Sequence, residues 1–313
     1  SSGRRIAKRY KEVSLYELNQ LTKGDCAIHG EGAVVVTGGL GGLGLLSAKV
    51  LADLGIQYIF LVSRSGHVAY EGQGLEEKLQ WLQSSSGVNV QIMSCDVSEE
   101  VAVEAMLKDV RRIAGNIKGI IHCAGVIRDG AIEGGKAAAG STAVWQSKAL
   151  SAWWLHKHSL EDNLNMFVTY SSISAAIGNH GQTAYAAANR FLDALIHIRV
   201  RAGLCGVSIQ WPAISGIGMA AASNTLQDDR WSLSPERVYE LLYQCFEGAY
   251  LSLQRPVLIL PESYLEIFNS DNGFGLQLRE YMKTIVVDTK VYQGASNTTT
   301  KKKKMMMRDR HKV

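Results

Sequence analysis

Proline is scarce, four in 313 residues, which excludes a Pro-rich linker or a polyproline rod. Cysteine is scarce too. The five stand at 26, 95, 123, 205 and 245, with no C-x-x-C pair and no His cluster at metal-ligand spacing. That pattern excludes a disulfide scaffold and a zinc site, and reads as buried thiols in a reducing compartment. No uncharged apolar run approaches the ~18 residues that a bilayer span requires. No apolar core follows the basic N-terminus, so no secretory signal and no membrane span are expected, and the expected location is cytoplasmic. Excess positive charge is missing from the body. The formal +4 hides +6 in residues 301–313 and +3 in residues 1–17, which leaves −5 for residues 18–300. A body of that sign is no nucleic-acid groove, and the basic ends read as solvated tails.

What remains is 46% hydrophobic, enough for a substantial core. Strand-like and helix-like segments alternate through it, which predicts an α/β fold: a Rossmann-type doubly wound parallel sheet of about seven strands flanked by helices. Strands are predicted near 33–37, 57–63, 88–94, 118–123, 165–171, 206–211 and 256–260. Helical patterns fall at 75–84, 99–114, 151–159, 183–202 and 235–248. The expected organisation is a basic N-terminal segment over 1–32, a catalytic domain over 33–265, and a C-terminal linker and basic tail over 266–313 that is expected not to fold at its end.

The stretch AVVVTGGLGGLGLLSAKVLADLG, residues 33–55, holds six glycines, five of them packed between a β-branched run and a helical pattern. Gly39, Gly41 and Gly44 fit G-x-G-x-x-G after a strand and opening a helix near Gly42, the context a dinucleotide fingerprint requires. Main chain from Gly39 through Leu40, Gly41, Gly42, Leu43 and Gly44 is then expected to face a pyrophosphate. The second strand ends Ser63-Arg64-Ser65-Gly66 with no carboxylate, and a guanidinium beside hydroxyls selects the 2′-phosphate of NADPH over NADH. Asp96 and Val97 end the third strand, where a carboxylate can accept from an adenine amine or cap the next helix. Cys123, Ala124 and Gly125 end the fourth, small enough for a cofactor to lie against backbone.

A second constellation follows strand five. Tyr185 and Asn189 are four residues apart on one helix face, with only alanines between them. A tyrosine can deliver a proton to a developing alkoxide, but its ordinary pKa near ~10 calls for a nearby cation to stabilise the phenolate, and Lys148 is the candidate. Ser172 can polarise a carbonyl. Taken singly, each of these residues reads better as an ordinary surface or core side chain, and only their joint placement beside the glycine loop points to chemistry.

Together, VVVTGGLGGLG, FLVSRSG, CDVSE, GIIHCAGVIRDG, Ser147-Lys148, YSSISAAIGNHGQTAYAAAN and GIGMA resemble the ketoreductase domains of type I polyketide synthases, a branch of the short-chain dehydrogenase/reductase superfamily that includes animal fatty acid synthase ketoreductase. The resemblance runs from about residue 33 to 220, more weakly to 262. It implies NADPH-dependent reduction of a β-ketoacyl thioester tethered by phosphopantetheine to an acyl carrier protein, among other domains of a synthase. By the same resemblance Tyr185 donates the proton and Ser172 orients the carbonyl. Lys148 tunes the tyrosine and holds the nicotinamide ribose, and Asn189 supports a relay water. Ile177, eight residues before Tyr185, and Asp129 imply B-type stereochemistry with a D-hydroxyl product, although Arg128 departs from the family pattern. Met219 and Trp231, in the stretch 219–232 where the family has its substrate lid, are candidate contacts to the acyl chain. The 32 leading residues are too few for the Rossmann-like subdomain that usually precedes this domain. A freestanding NADPH reductase of a small carbonyl or acyl-CoA, and a silent Rossmann scaffold, remain as alternatives.

Overall fold

Every residue of the strand Ala33–Thr37 (β1) is buried, as expected of a parallel strand covered on both faces. Its alternating side chains feed two cores. Val34 and Val36 join the layer that includes Leu45, Leu51, Leu241 and Phe246, whereas Ala33 and Val35 join Leu107, Val110, Leu155 and Leu192 on the opposite face. Each fully buried Val or Leu contributes about 1.5–3 kcal/mol, so this division drives helices onto both sides.

The computed structural model describes residues 32–85, 87–130, 136–222, 231–248 and 255–259. The N-terminal segment as far as residue 31 with Cys26, residues 223–230 of the expected lid, and everything from residue 260 onward lie outside the described residues. From β1 the chain runs through α1 (Gly42–Asp53), β2 (Tyr58–Ser63), α2 (Leu75–Ser85), β3 (Asn89–Ser94), α3 (Glu100–Ala114) and β4 (Ile117–His122). Helix α4 (Lys136–Trp145) then passes through one π-turn, Gln146–Leu150, into α5 (Ser151–Lys157). There follow β5 (Met166–Ser172), α6 (Ser174–Ile177), α7 (Thr183–Arg201), β6 (Val207–Trp211), β7 (Ala213–Ile214), α8 (Gly218–Ala222), β8 (Ser232–Leu233), α9 (Pro235–Phe246) and β9 (Pro256–Leu258).

Seven strands form one parallel sheet in the order β3-β2-β1-β4-β5-β6-β9, and β7 pairs separately with β8. The strand order reverses between β1 and β4, and open α/β sheets bind ligands at such a switch point, beyond the carboxyl ends of the strands. The predicted doubly wound sheet is observed. Helix α4 and the short elements α6, α8, β7 and β8 are additions to the expected list.

Candidate functional site

A cleft of about 1010 Å³ opens at the switch point. Of the residues expected at a dinucleotide, Leu40, Gly41, Gly42, Leu43, Gly44, Ser63, Arg64, Asp96, Val97, Cys123, Ala124 and Gly125 all line it. Gly39 does not. It packs inward, where a Cβ would stand 2.6 Å from the Val36 carbonyl oxygen, so its smallness serves the turn rather than a ligand. Gly44 likewise leaves room for the Gly38 carbonyl beneath the loop.

The far wall is shaped by local hydrogen bonds. Gly66 N–H donates to Ser63 Oγ (3.0 Å) and Ser94 Oγ donates to the Arg64 carbonyl (2.8 Å), which holds the Arg64 turn open toward the cleft. Ala69 N–H donates to the Leu40 carbonyl (2.9 Å), tying this turn to the glycine loop. Asp96 Oδ1 accepts from Ser98 N–H (3.0 Å) and Ser98 Oγ (2.8 Å), so it organises the turn before α3 while lining the cleft. Ser65, one of the hydroxyls expected beside Arg64, lines the cleft as well, as do His67, Arg128, Gln146 and Ser147, which the cofactor reading did not include.

Lys148, Tyr185, Ser172 and Asn189 do not line the open cleft, and of the four Lys148 packs against a residue that does. A Cβ on Gly125 would stand 3.2 Å from Lys148 Cε, so that glycine is what lets the lysine stem pack directly behind the wall. Lys148 is 2% exposed, its Nζ donates to the Tyr170 carbonyl (2.7 Å), and the ammonium lies 5.7 Å from the centre of the Tyr185 ring. Burial pushes its pKa down to about 8. Burial acts oppositely on the half-buried Tyr185, raising its phenol to about 12, so the hydroxyl is protonated at neutral pH. Asn189 is fully buried, with Nδ2 donating to the Tyr185 carbonyl (2.9 Å) and Oδ1 left without a partner. Ser172 stands at the end of β5, its Oγ accepting from Ser174 N–H (3.2 Å).

A buried network behind Lys148 carried no sequence signal. His122 Nε2 meets the Lys148 carbonyl (3.0 Å) and Ser151 Oγ (3.1 Å), while Nδ1 meets Thr37 Oγ1 (2.7 Å). A carbonyl only accepts, so Nε2 carries the proton and Thr37 donates to Nδ1. Burial pushes the imidazole down to about 3, which keeps it neutral in this role. The π-turn therefore hangs from the ends of β1 and β4. Single π-turns within helices often mark functional sites, since they re-aim one side chain.

Met219 lines the cleft; Asp129 and Ile177 do not. Asp129 Oδ2 accepts from Gln182 Nε2 (2.9 Å) and Gly130 N–H donates to the Gly181 carbonyl (2.9 Å), which buttons the loop after β4 to the start of α7. Ile177 ends α6 half-buried. Among the described residues no cluster has metal-ligand composition, and no helix is long and apolar enough to cross a membrane.

The chain matches the family model described as KR domain over residues 32–216. It is 35% identical over 237 residues to the phenolphthiocerol synthesis polyketide synthase type I Pks15/1 of Mycobacterium marinum, covering 73% of this chain and 11% of that protein. To the naringenin synthase of Pestalotiopsis fici it is 39% identical over 197 residues, covering 61% of this chain and 7% of that protein. It thus spans about a tenth or less of these relatives' length. A solved A-type ketoreductase from a modular polyketide synthase superposes with a TM-score of 0.61 at 30% identity, covering 74% of this chain and 49% of that one. Levodione reductase superposes at 0.64 with 21% identity, covering 76% of this chain and 99% of that one, a likeness of fold alone.

Proposed function

Because the chain belongs to the KR domain family of the polyketide synthases, and so is an oxidoreductase of ketones with a nicotinamide cofactor, we propose that it uses NADPH to reduce the β-keto group of an acyl-carrier-protein-tethered β-ketoacyl thioester to the β-hydroxy thioester. The reading rests chiefly on one juxtaposition: a buried ammonium near the ring of a protonated phenol, its lysine stem packed against Gly125 of a dinucleotide-sized cleft.

The cleft fits the cofactor through its glycine loop, its open wall at Ala124 and Gly125, and Arg64, whose guanidinium suits a 2′-phosphate. Bound NADPH supplies the hydride to the carbonyl carbon. Ser172 Oγ holds the carbonyl oxygen by a hydrogen bond, and Tyr185 Oη passes its proton to that oxygen as negative charge develops there. Lys148 stabilises the phenolate left behind, at a distance where burial makes the attraction strong. Asn189, with its unpartnered Oδ1, holds the water that returns a proton. Asp129 and Ile177 favour the B-type outcome, a D-hydroxyl, by setting the loop and short helix that flank Tyr185.

The test follows NADPH oxidation with a β-ketoacyl thioester on pantetheine and on carrier protein, for the wild type and Tyr185→Phe. Loss of the phenol should lower kcat about 10²–10⁴-fold. Equal turnover of the two proteins would overturn the proton-donor assignment, and chiral analysis of the product decides the stereochemistry. Turnover of free small ketones as fast as of carrier-bound substrate would favour a freestanding reductase.

A further inference from the structure

Gln73 lies between β2 and α2, outside every motif described above, and it joins two walls of the cleft. Its Oε1 accepts from Gly218 N–H at 2.7 Å and its Nε2 reaches the Gly218 carbonyl at 3.4 Å, across 145 residues of sequence. One side-chain amide thus satisfies both backbone groups of a single residue, and only this amide orientation does so. Gly218 sits at φ +78°, a conformation that favours glycine. It is pressed against the glycine loop as well, since a Cβ on Gly42 would stand 2.9 Å from Gly218 N. Gly218 and Met219 line the same cleft as Arg64, Ser65 and His67, which precede Gln73 on its own loop. That loop is in turn fixed to Leu40 by the Ala69 N–H. The Arg64 turn, the glycine loop and the Met219 wall therefore converge on one amide.

We infer that Gln73 is a positioning residue that clamps the Gly218–Met219 wall to the Arg64 turn and so sets how long the cleft retains NADPH and how closely Met219 meets the acyl substrate. This rests on the NADPH reading above. Gln73 has no part in the chemical step, so its removal acts on retention and substrate affinity. A half-buried loop residue with two hydrogen bonds is also not a fold determinant, so thermal stability is a control.

The experiment measures NADPH release by stopped-flow fluorescence, together with kcat and KM for the thioester, in the full chain. Gln73→Met, of similar length and without polar atoms, should raise the release rate about threefold to tenfold, the range expected for a lost hydrogen bond, and raise KM while kcat stays within about twofold. Gln73→Glu keeps the acceptor of the 2.7 Å bond and loses the donor, so its release rate should fall between Gln73→Met and the wild type. Wild-type release and KM from Gln73→Met, with NADPH bound normally, would overturn the inference alone. Gln73→Glu performing no better than Gln73→Met would overturn the hydrogen-bond clamp. A wild-type protein that binds no NADPH would overturn the proposed function and this inference with it.

Discussion

Replacing Lys148 with methionine should leave the fold as stable as before, or more so, while abolishing reduction. Burial holds the ammonium at about 8 against an ordinary 10.5, with 2% of the residue exposed, so charging it near neutral pH costs the folded state about 3 kcal/mol. The substitution removes that penalty. It also strips the Tyr170 carbonyl of the donor at 2.7 Å, and an orphaned buried acceptor costs about 1–3 kcal/mol. The net expectation for Lys148→Met at pH 7 is a gain of about 0–2 kcal/mol.

The pH dependence isolates the lysine. Between pH 8 and 10.5 the unfolded chain keeps a proton on this amine that the folded chain has lost, so its contribution makes stability rise with pH across that window. Urea unfolding of both proteins at pH 7 and pH 10 should show the wild type gaining about 2.5 kcal/mol on Lys148→Met, while buried Cys and Tyr groups not coupled to Lys148 cancel in the difference. The same titration gives activity an alkaline limb near pH 8, because a neutral amine no longer supports the phenolate. Unfolding curves for the two proteins that respond identically to pH would refute a buried, depressed ammonium.

Arg64→Ala should weaken NADPH about 10–100-fold and leave NADH nearly unchanged, since the proposed role of the guanidinium is to hold the 2′-phosphate; equal losses in titrations of both cofactors would remove that role. Asp193 is fully buried and accepts from Ser208 Oγ (2.8 Å), Gln210 Nε2 (2.6 Å) and Arg190 Nη1 (3.2 Å). Asp193→Ala leaves the Ser208 and Gln210 donors unpaired and should lower unfolding free energy by about 1–3 kcal/mol, and Asp193→Asn by less; denaturant midpoints equal to the wild type would show that the network contributes nothing.

The sheet was legible because strands buried on both faces read as unbroken β-branched and apolar runs. YIFLV and AVVV leave no helical alternative, and the observed strand ends differ from the expected ones by a residue or two. The element carrying Lys148 was only half legible. Residues 136–150 are mostly small, so their sequence marks no apolar face, and the contact that holds the Lys148 carbonyl of the π-turn comes from His122, 26 residues away. The glycine loop was legible by its spacing as the turn from strand to helix at the edge of a cleft. That Gly39 serves the turn and Gly125 makes room for a lysine depends on neighbours brought in by the fold.

The position of the candidate site follows from the same burial that made the strands readable. A strand covered on both faces has little place for polar side chains along its length, and polar groups enter where it runs out. The first five strands end on Thr37, Ser63, Ser94, His122 and Ser172. Parallel pairing brings all five termini to one edge of the sheet. Two of them, Thr37 and His122, are turned inward and fully buried, where they hold the turn that carries the lysine. Ser63 shapes the Arg64 turn, and Ser172 stands at the end of the strand whose Tyr170 carbonyl receives the Lys148 ammonium. One row of strand ends thus supplies both the cleft wall and the frame that aims the cation behind it, so exchanging a frame residue such as Thr37 acts on the site only through Lys148.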